Sequence, residues 1–258
     1  MAKKWAKFPY DGSDYVYEGA ALKKHWARLH RGDCEPFPKD VAAQEAWRAF
    51  HAGEFQRAAE AGRDAGGTAV NAAVKAQTVY ANYIDKAEKS RLALFEEAAT
   101  WADERRDAAP NDANAHYLYA FALGRYSQGI SVTKALAQGF GGKIKDALTR
   151  ALKLAPAHAD AHAAFGAYQA EVINKVGGLV AGMTYGTKKD SALEHYQQAL
   201  KLNPDSAISR IEYANGLIML FDKARLDEAT KLYEQAARCE PMDAMERLDV
   251  ELARAELA

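Results

Sequence analysis

The stretch Ser191-Ala-Leu-Glu-His-Tyr-Gln-Gln-Ala-Leu-Lys-Leu-Asn-Pro204 decides the fold of this 258-residue chain. It is an amphipathic run typical of a helix, and it ends at a proline because proline cannot continue a helix. Three further amphipathic segments end in the same way, at Pro110, Pro156 and Pro241, and a fresh run follows each. The sequence therefore predicts a series of repeated helical units.

The residues at fixed distances from these prolines also agree between units. Small residues recur five positions before three of the prolines and ten positions after three of them, while larger residues recur eight positions before. The small residues are Ala151, Ala199, Ala236, Ala120, Gly166 and Ala214, and the larger ones are Leu148, Tyr196 and Tyr233. Small residues let paired helices approach closely, and larger ones fill the space between layers. This agreement favours a repeat over a helical bundle with chance prolines.

The pattern resembles the tetratricopeptide repeat (TPR), most clearly over residues 191–204 and 227–241. The resemblance implies an all-α fold, a right-handed superhelical solenoid of helix pairs. The proline spacings of 46, 48 and 37 residues exceed the usual unit of about 34. We therefore expect long insertions between the two helices of a unit, over residues 127–142 and 172–189. Both mix glycine with aliphatic residues and carry few acids, so we expect them to pack against the protein.

The repeat pattern weakens toward the N-terminus. We expect residues 1–109 to form a helical region of degenerate pairs, led by a helix over residues 14–30. Residues 243–258 are expected to form the C-terminal capping helix that a solenoid needs. The remaining TPR-like units of the region 110–258 are predicted over residues 111–156, 157–204 and 205–241.

The segments around the insertions carry a closer resemblance. The run Ala115-His-Tyr-Leu-Tyr-Ala-Phe-Ala-Leu-Gly124, the segment after the first insertion and the placement of the second are similar to the regulator of microtubule dynamics family. The repeats with long insertions also resemble, more loosely, the T component of TRAP (tripartite periplasmic) transporters. This resemblance covers residues 110–241. The sequence shows neither the lipoprotein leader nor the membrane anchor of those groups, so we do not expect a membrane-tethered role.

Composition and charge argue against several classes of function. The formal net charge of −1 disfavours a nucleic-acid partner, because cations on phosphates supply most of that affinity. No apolar run reaches the roughly 18 residues of a membrane span, and no signal-peptide core is present. Cys34 and Cys239 lie far apart in the sequence and suggest neither a disulfide framework nor a metal site. We expect a cytoplasmic protein.

Two patterns invite a chemical interpretation. His158 and His162 share a helical face at a spacing that can chelate a metal, but no further ligand lies nearby in the sequence. We interpret both as structural. The glycine-rich insertions lack the spacing of a phosphate-binding loop. Gly178, Gly182 and Gly186 recur every four residues, which suits close helix contact better. We therefore predict no metal, no cofactor and no catalytic group.

In a solenoid the first helix of each pair lines the concave face, where partners usually bind. Polar and aromatic side chains of those helices and of the insertions are the candidate binding residues. They are Tyr117, Phe121, Arg125, Tyr126, Gln128, Gln169, Asn174, Lys175, Tyr185, Arg210, Glu212 and Asn215. Asn215 alone matches the carboxylate clamp of peptide-binding TPR domains, because Phe121 and Ala167 stand at the equivalent positions. A chaperone-tail clamp is therefore disfavoured.

The leading hypothesis is a non-enzymatic protein–protein interaction scaffold that uses the concave face and the insertions to bind a protein or peptide. The alternative is a protein that binds a small hydrophobic or carboxylate ligand, resembling the TRAP T component. Arg125, Lys175 or Arg210 would then supply the counter-charge. An unrecognised enzyme is a third class. The apolar insertions could equally seal a homo-oligomer interface, since large apolar patches rarely stay in water.

Overall fold

The computed structural model describes residues 4–258, and in that range the chain is helical, with two short 3₁₀ turns and no strand. The helices are α1 (Ala21–Leu29), α2 (Val41–His51), α3 (Phe55–Ala65), α4 (Ala69–Tyr83), α5 (Glu88–Ala108), α6 (Ala113–Gln128), α7 (Val132–Ala137), α8 (Phe140–Leu154), α9 (Ala159–Val176), α10 (Gly178–Tyr185), α11 (Lys189–Leu202), α12 (Ala207–Phe221), α13 (Leu226–Ala237) and α14 (Ala244–Glu256). The 3₁₀ turns are Ser13–Tyr15 and Asp222–Arg225.

The helices pack in successive pairs. The pairs are α2 with α3, α4 with α5, α6 with α8, α9 with α11, and α12 with α13. The first helices of neighbouring pairs also touch, α4 with α6, α6 with α9 and α9 with α12, so the pairs stack into a solenoid. The predicted all-α, TPR-like solenoid is confirmed. The leading helix is shorter than predicted, because Gly19 takes a positive φ of 53° and the helix begins only at Ala21.

Each proline that punctuates the repeat is followed, two positions later, by the N-cap of the next helix. A side chain at this position accepts a hydrogen bond from an otherwise unpaired backbone N–H of the first turn. The N-caps are Asp112 for α6, His158 for α9, Ser206 for α12 and Asp243 for α14. The proline therefore ends one helix and positions the residue that starts the next.

Two glycines lie where helices come close together. Gly166 of α9 and Gly216 of α12 lie on either side of the Tyr196 ring of α11. A β-carbon at Gly166 would lie 2.9 Å from that ring, and one at Gly216 would lie 2.5 Å from it. Tyr196 is 1% exposed, so its ring fills the space between these two helices. Glycine is required at both positions for this packing.

The two insertions form short helices, α7 and α10, between the helices of their pairs. Ala135 of α7 packs against the neighbouring core, and Ala181 of α10 is fully buried. The expectation of close helix contact along the glycines of the second insertion is wrong. A β-carbon at Gly178 would meet no atom within 4 Å, and one at Gly182 would meet only the Thr187 carbonyl, at 3.7 Å. The insertions therefore pack along one side and leave the other open.

The C-terminal helix α14 was predicted as a cap, and it also joins the two ends of the solenoid. It packs on α12 and α13, while its residues Ala244 and Leu248 lie in the N-terminal core. Arg28 donates to both carboxylate oxygens of Glu246, at 2.7 and 3.2 Å. The Tyr17 hydroxyl donates to the Met242 carbonyl at 2.5 Å. The concave face is therefore closed by α14 on one side.

Candidate functional site

One concavity, which we call the chamber, lies among the first helices of the superhelix. Its cavity volume is about 170 Å³, or about 1350 Å³ when the space open to solvent is counted. Its walls come from α4, α6, α9 and α12, the first helices of four successive pairs, with Met245 of α14 and residues of α7 and α8. The walls are mainly apolar and aromatic, with a few charged side chains, which is the usual make-up of a ligand site.

The chamber has a buried inner end and an exposed mouth. Helix α9 runs between them, from Asp160 in its first turn to Val176 at its last residue, about 24 Å at 1.5 Å per residue. Lys75 and Tyr117 at the inner end are 5% and 7% exposed. Gln128 and Lys175 at the mouth are exposed to solvent. An occupant would enter from the side of the two insertions.

The structure brings seven of the twelve predicted site residues to the chamber. These are Tyr117, Phe121, Arg125, Gln128, Lys175, Tyr185 and Glu212. The other five lie outside its walls. Tyr126 packs against Phe140 in the core, Gln169 bonds to Ser191, and Asn174 is exposed on α9. Arg210 donates to the Pro204 carbonyl at 2.6 Å, and Asn215 accepts from the Tyr233 hydroxyl.

The cations at the mouth already have partners. Arg125 donates to Glu212 at 2.7 Å and to the Gln128 side chain at 3.2 Å. Burial would lower the pKa of Arg125, but the Glu212 carboxylate outweighs it and the pKa is raised. Lys175 lies 3.4 Å from Glu171. These cations form ion pairs with the protein and are not free counter-charges.

A buried polar relay lies behind the inner end. Lys75 lies 2.6 Å from Asp33, and Asp33 lies 2.8 Å from Nδ1 of His30. Nε2 of His30 lies 3.3 Å from Nε2 of His51, whose Nδ1 lies 2.8 Å from Asp243. Burial lowers the pKa of His30 to about 4. Burial also lowers the pKa of Lys75, but Asp33 and the other nearby carboxylates outweigh it, so its net shift is upward.

Sequence reasoning missed this relay, because its members come from the loop after α1, from α2 and α4, and from the start of α14. No local spacing connects residue 33 with residue 75 or residue 51 with residue 243. A lysine in the middle of the alanine-rich α4, which is buried on every side, is the one signal that the sequence offers. Buried lysines need a partner, so Lys75 predicts a carboxylate but not its position.

Asp160 at the inner end lies against the relay without joining it. Its backbone N–H donates to the Gly32 carbonyl at 3.0 Å, and its carboxylate lies so close that a β-carbon at Gly32 would be 2.3 Å from it. Within residues 4–258 its carboxylate makes no hydrogen bond or ion pair. Burial, together with Asp33, Glu246 and Asp243, raises the pKa of Asp160 to about 6 against the opposing effect of Lys75.

The two histidines at the start of α9 face different partners. His158 caps α9 by accepting the Ala161 N–H at 3.0 Å, and its Nε2 lies 2.9 Å from the Asn114 side-chain oxygen. Nδ1 of His162 lies 2.9 Å from Nδ1 of His195. Among the described residues, no group of three or more His, Cys, Asp or Glu side chains is arranged to hold a metal ion.

The profile of the family described as "Regulator of microtubule dynamics protein 1-3" matches residues 56–256. The chain belongs to this family. The match starts in α3, well before the region in which the resemblance is visible to the eye, and it includes all the helices that line the chamber. No match was found among the curated proteins.

Two solved structures are similar to this chain. The thermophilic TPR protein TTC0263 of Thermus thermophilus is similar with a TM-score of 0.57 at 17% identity, covering 83% of this chain and 97% of that one. A monomeric mutant of IFIT1 with Gppp-AAAA has a TM-score of 0.45 at 14% identity, covering 92% of this chain and 59% of that one. The first likeness supports the TPR-like fold. No helix within residues 4–258 combines the length and hydropathy that a membrane crossing requires.

Proposed function

We propose that this chain is a non-enzymatic scaffold that holds an apolar segment of a protein partner in its chamber. The TPR-like fold and the family point to a protein-interaction scaffold. The use of the chamber is supported by its lining, because four successive first helices and both insertions contribute residues to it. A solenoid usually binds with the concave surface that its first helices line.

The length of the chamber suits an extended segment. A chain that follows α9 for about 24 Å needs about seven residues at 3.3–3.6 Å each. Phe121, Tyr168 and Ile208 offer it apolar and aromatic walls. Val132 and Leu136 of α7 line the mouth and are 42% and 49% exposed. A bound segment would remove this apolar surface from water, at about 25 cal/mol per Å².

The exposed face of α10 lies beside the mouth and extends the same surface. Leu179 and Met183 are 78% and 81% exposed, and Val180 is 50% exposed. Monomeric proteins rarely leave such apolar patches in water. We propose that the body of the partner, outside the inserted segment, covers this face. A second copy of the chain on the same face is an alternative that light scattering would reveal.

A small apolar ligand is the second candidate. The observation that favours it is the closure of one side of the concavity by α14. Native mass spectrometry of the purified chain distinguishes the two candidates, because a small ligand adds a discrete mass of a few hundred daltons. A protein partner gives a stoichiometric complex.

The test fills the chamber without touching its polar groups. Ala167 lines the chamber on α9, and Ala167→Trp would occupy its centre. Ala27 is exposed on α1, away from the chamber, so Ala27→Trp is the matched control. We expect the partner captured by the wild-type chain from its native host to be retained by Ala27→Trp and lost by Ala167→Trp. Equal capture by both folded variants would contradict the proposal.

A further inference from the structure

The inner end of the chamber carries two polar groups with no partner. The Asp160 carboxylate makes no hydrogen bond or ion pair within the described part of the chain. The Tyr117 side chain is 7% exposed and lines the same end, and its hydroxyl makes no hydrogen bond among residues 4–258. Asp160 is half-buried, and both residues line the chamber, so their polar atoms are satisfied by whatever occupies it. A ligand group that bonds to both would take the place of water there.

The charge at this end of the chamber is negative. Lys75 is the nearest cation to Asp160, but it lies 2.6 Å from Asp33 and is neutralised there. Asp33, Asp243 and Glu246 are the carboxylates that act on Asp160, and Arg28 is bonded to Glu246. An incoming cation would therefore meet an unpaired carboxylate with further carboxylates behind it. An incoming anion would be repelled by the same groups.

From this geometry we infer that the inner end of the chamber selects a cationic group, a primary amine or a lysine side chain, carried on an apolar body. The inference rests on the proposed function, because it describes the occupant of the same chamber. The ammonium would donate to the Asp160 carboxylate and to the Tyr117 oxygen. An ammonium carries three N–H donors, which is enough to bond to both acceptors.

The aromatic lining supports a cation as well. The rings of Tyr117 and Phe121 lie nearly parallel, at 3°, with centroids 6.0 Å apart on successive turns of α6. Aromatic faces attract ammonium groups within about 6 Å. The Arg125 guanidinium already lies 5.6 Å from the Phe121 centroid, which leaves the Tyr117 ring for an occupant. A carboxylate ligand has no equivalent site, because Arg125 and Lys175 at the mouth are paired with Glu212 and Glu171.

The experiment compares three probes that share one apolar alkyl chain and differ in their polar head group. Decylamine, 1-decanol and decanoate are titrated into the full chain at pH 7.5 by calorimetry. We expect the amine to bind at least tenfold more tightly than the alcohol, and decanoate to bind more weakly than either. In Asp160→Asn the amine should lose its advantage and bind within about twofold of the alcohol. Asp107→Asn, an exposed carboxylate on α5, is the matched control and should keep the wild-type preference.

A second arm distinguishes a free amine from a protein segment. An acetylated, amidated apolar heptapeptide that ends in lysine is compared with its norleucine counterpart. If the wild-type chain prefers the lysine peptide and Asp160→Asn abolishes that preference, the source is a protein segment. If a preference appears only among the decyl probes, the source is a free amine. Circular dichroism checks that both variants are folded.

The outcomes separate the inference from the proposed function. If all three decyl probes bind equally, the chamber takes apolar bodies and the selection of a cation is wrong. If Asp160→Asn keeps the full preference for the amine, the assignment of the cation to Asp160 is wrong. If no probe and no peptide binds, both the proposed function and this inference are overturned.

Discussion

Replacing His158 by asparagine should change how the stability of the chain depends on pH. His158 is fully buried, and its Nδ1 accepts the Ala161 N–H as the cap of α9. A proton on Nδ1 would destroy this bond, and burial lowers the pKa of His158 to about 4. Asparagine is a good N-cap but does not titrate. The comparison therefore measures the effect of protonating this imidazole on the stability of the folded chain.

The size of the effect follows from the two pKa values. The imidazole has a pKa of about 6.5 when the chain is unfolded and about 4 when it is folded. The unfolded state therefore binds more protons, and stability falls as the pH drops through 6.5, levelling off below about 4. At 1.36 kcal/mol per pKa unit, His158 alone costs the wild-type chain about 2 kcal/mol between pH 7.5 and pH 5.

Urea denaturation at pH 7.5 and pH 5 measures this cost as a difference between variants. Burial raises the pKa of Glu35 and of Asp249, so these carboxyl groups stabilise the folded chain as the pH falls from 7.5 to 5. The wild-type curve alone therefore does not show the effect of His158. They cancel when wild type is compared with His158→Asn. We expect His158→Asn to be less stable at pH 7.5, because it loses the ring packed on Tyr117, and the gap to narrow by about 2 kcal/mol at pH 5.

The control is the equivalent cap one unit later. Ser206 accepts the Ser209 N–H at 3.1 Å, and Ser206→Ala removes a cap that does not titrate. We expect it to cost about 1 kcal/mol at both pH values. A gap between wild type and His158→Asn that stays constant from pH 7.5 to pH 5 would refute the reasoning, since it would mean that the folded chain accepts the proton freely.

Three further results are expected. Lys75→Met should lower the free energy of unfolding by about 3–5 kcal/mol in urea titrations, because it leaves Asp33 buried without its cation. Adding Asp33→Asn should recover most of the loss, and no recovery would show that the pair is not coupled. Gly216→Ala should lose about 1–3 kcal/mol in thermal unfolding because its β-carbon would meet the Tyr196 ring, and an unchanged midpoint would refute that packing. Leu179→Ser should change stability by less than about 0.5 kcal/mol but weaken capture of the partner, and full capture would place the interface elsewhere.

The repeat was predictable from the sequence because its determinants are local. A proline, the small residue five positions before it and the N-cap two positions after it act within one turn or one helix pair. The short helices α7 and α10 were predictable only as packed insertions. Glycine spacing suggested the wrong contact for α10, because spacing alone does not say whether a neighbouring helix is present.

The site was predictable in part for the same reason. Seven of twelve candidate residues line the chamber, since first helices face the concave side in any solenoid of this kind. The partners of Arg125 and the relay behind Lys75 depend on contacts between residues far apart in the sequence. Only the three-dimensional arrangement shows that Asp160 is left without a partner while the cations are not.

The closure by α14 changes how the chain should come apart. In an open array each repeat touches only its neighbours, so terminal repeats can fray while the middle stays folded. Here Asp243 is bonded to His51, and Arg28 to Glu246, so loosening either end breaks contacts at the other. We therefore expect neither end of the solenoid to unfold before the other. We expect its slowest-exchanging amides to include residues of both α2 and α14, a pattern of protection that an open array would not show.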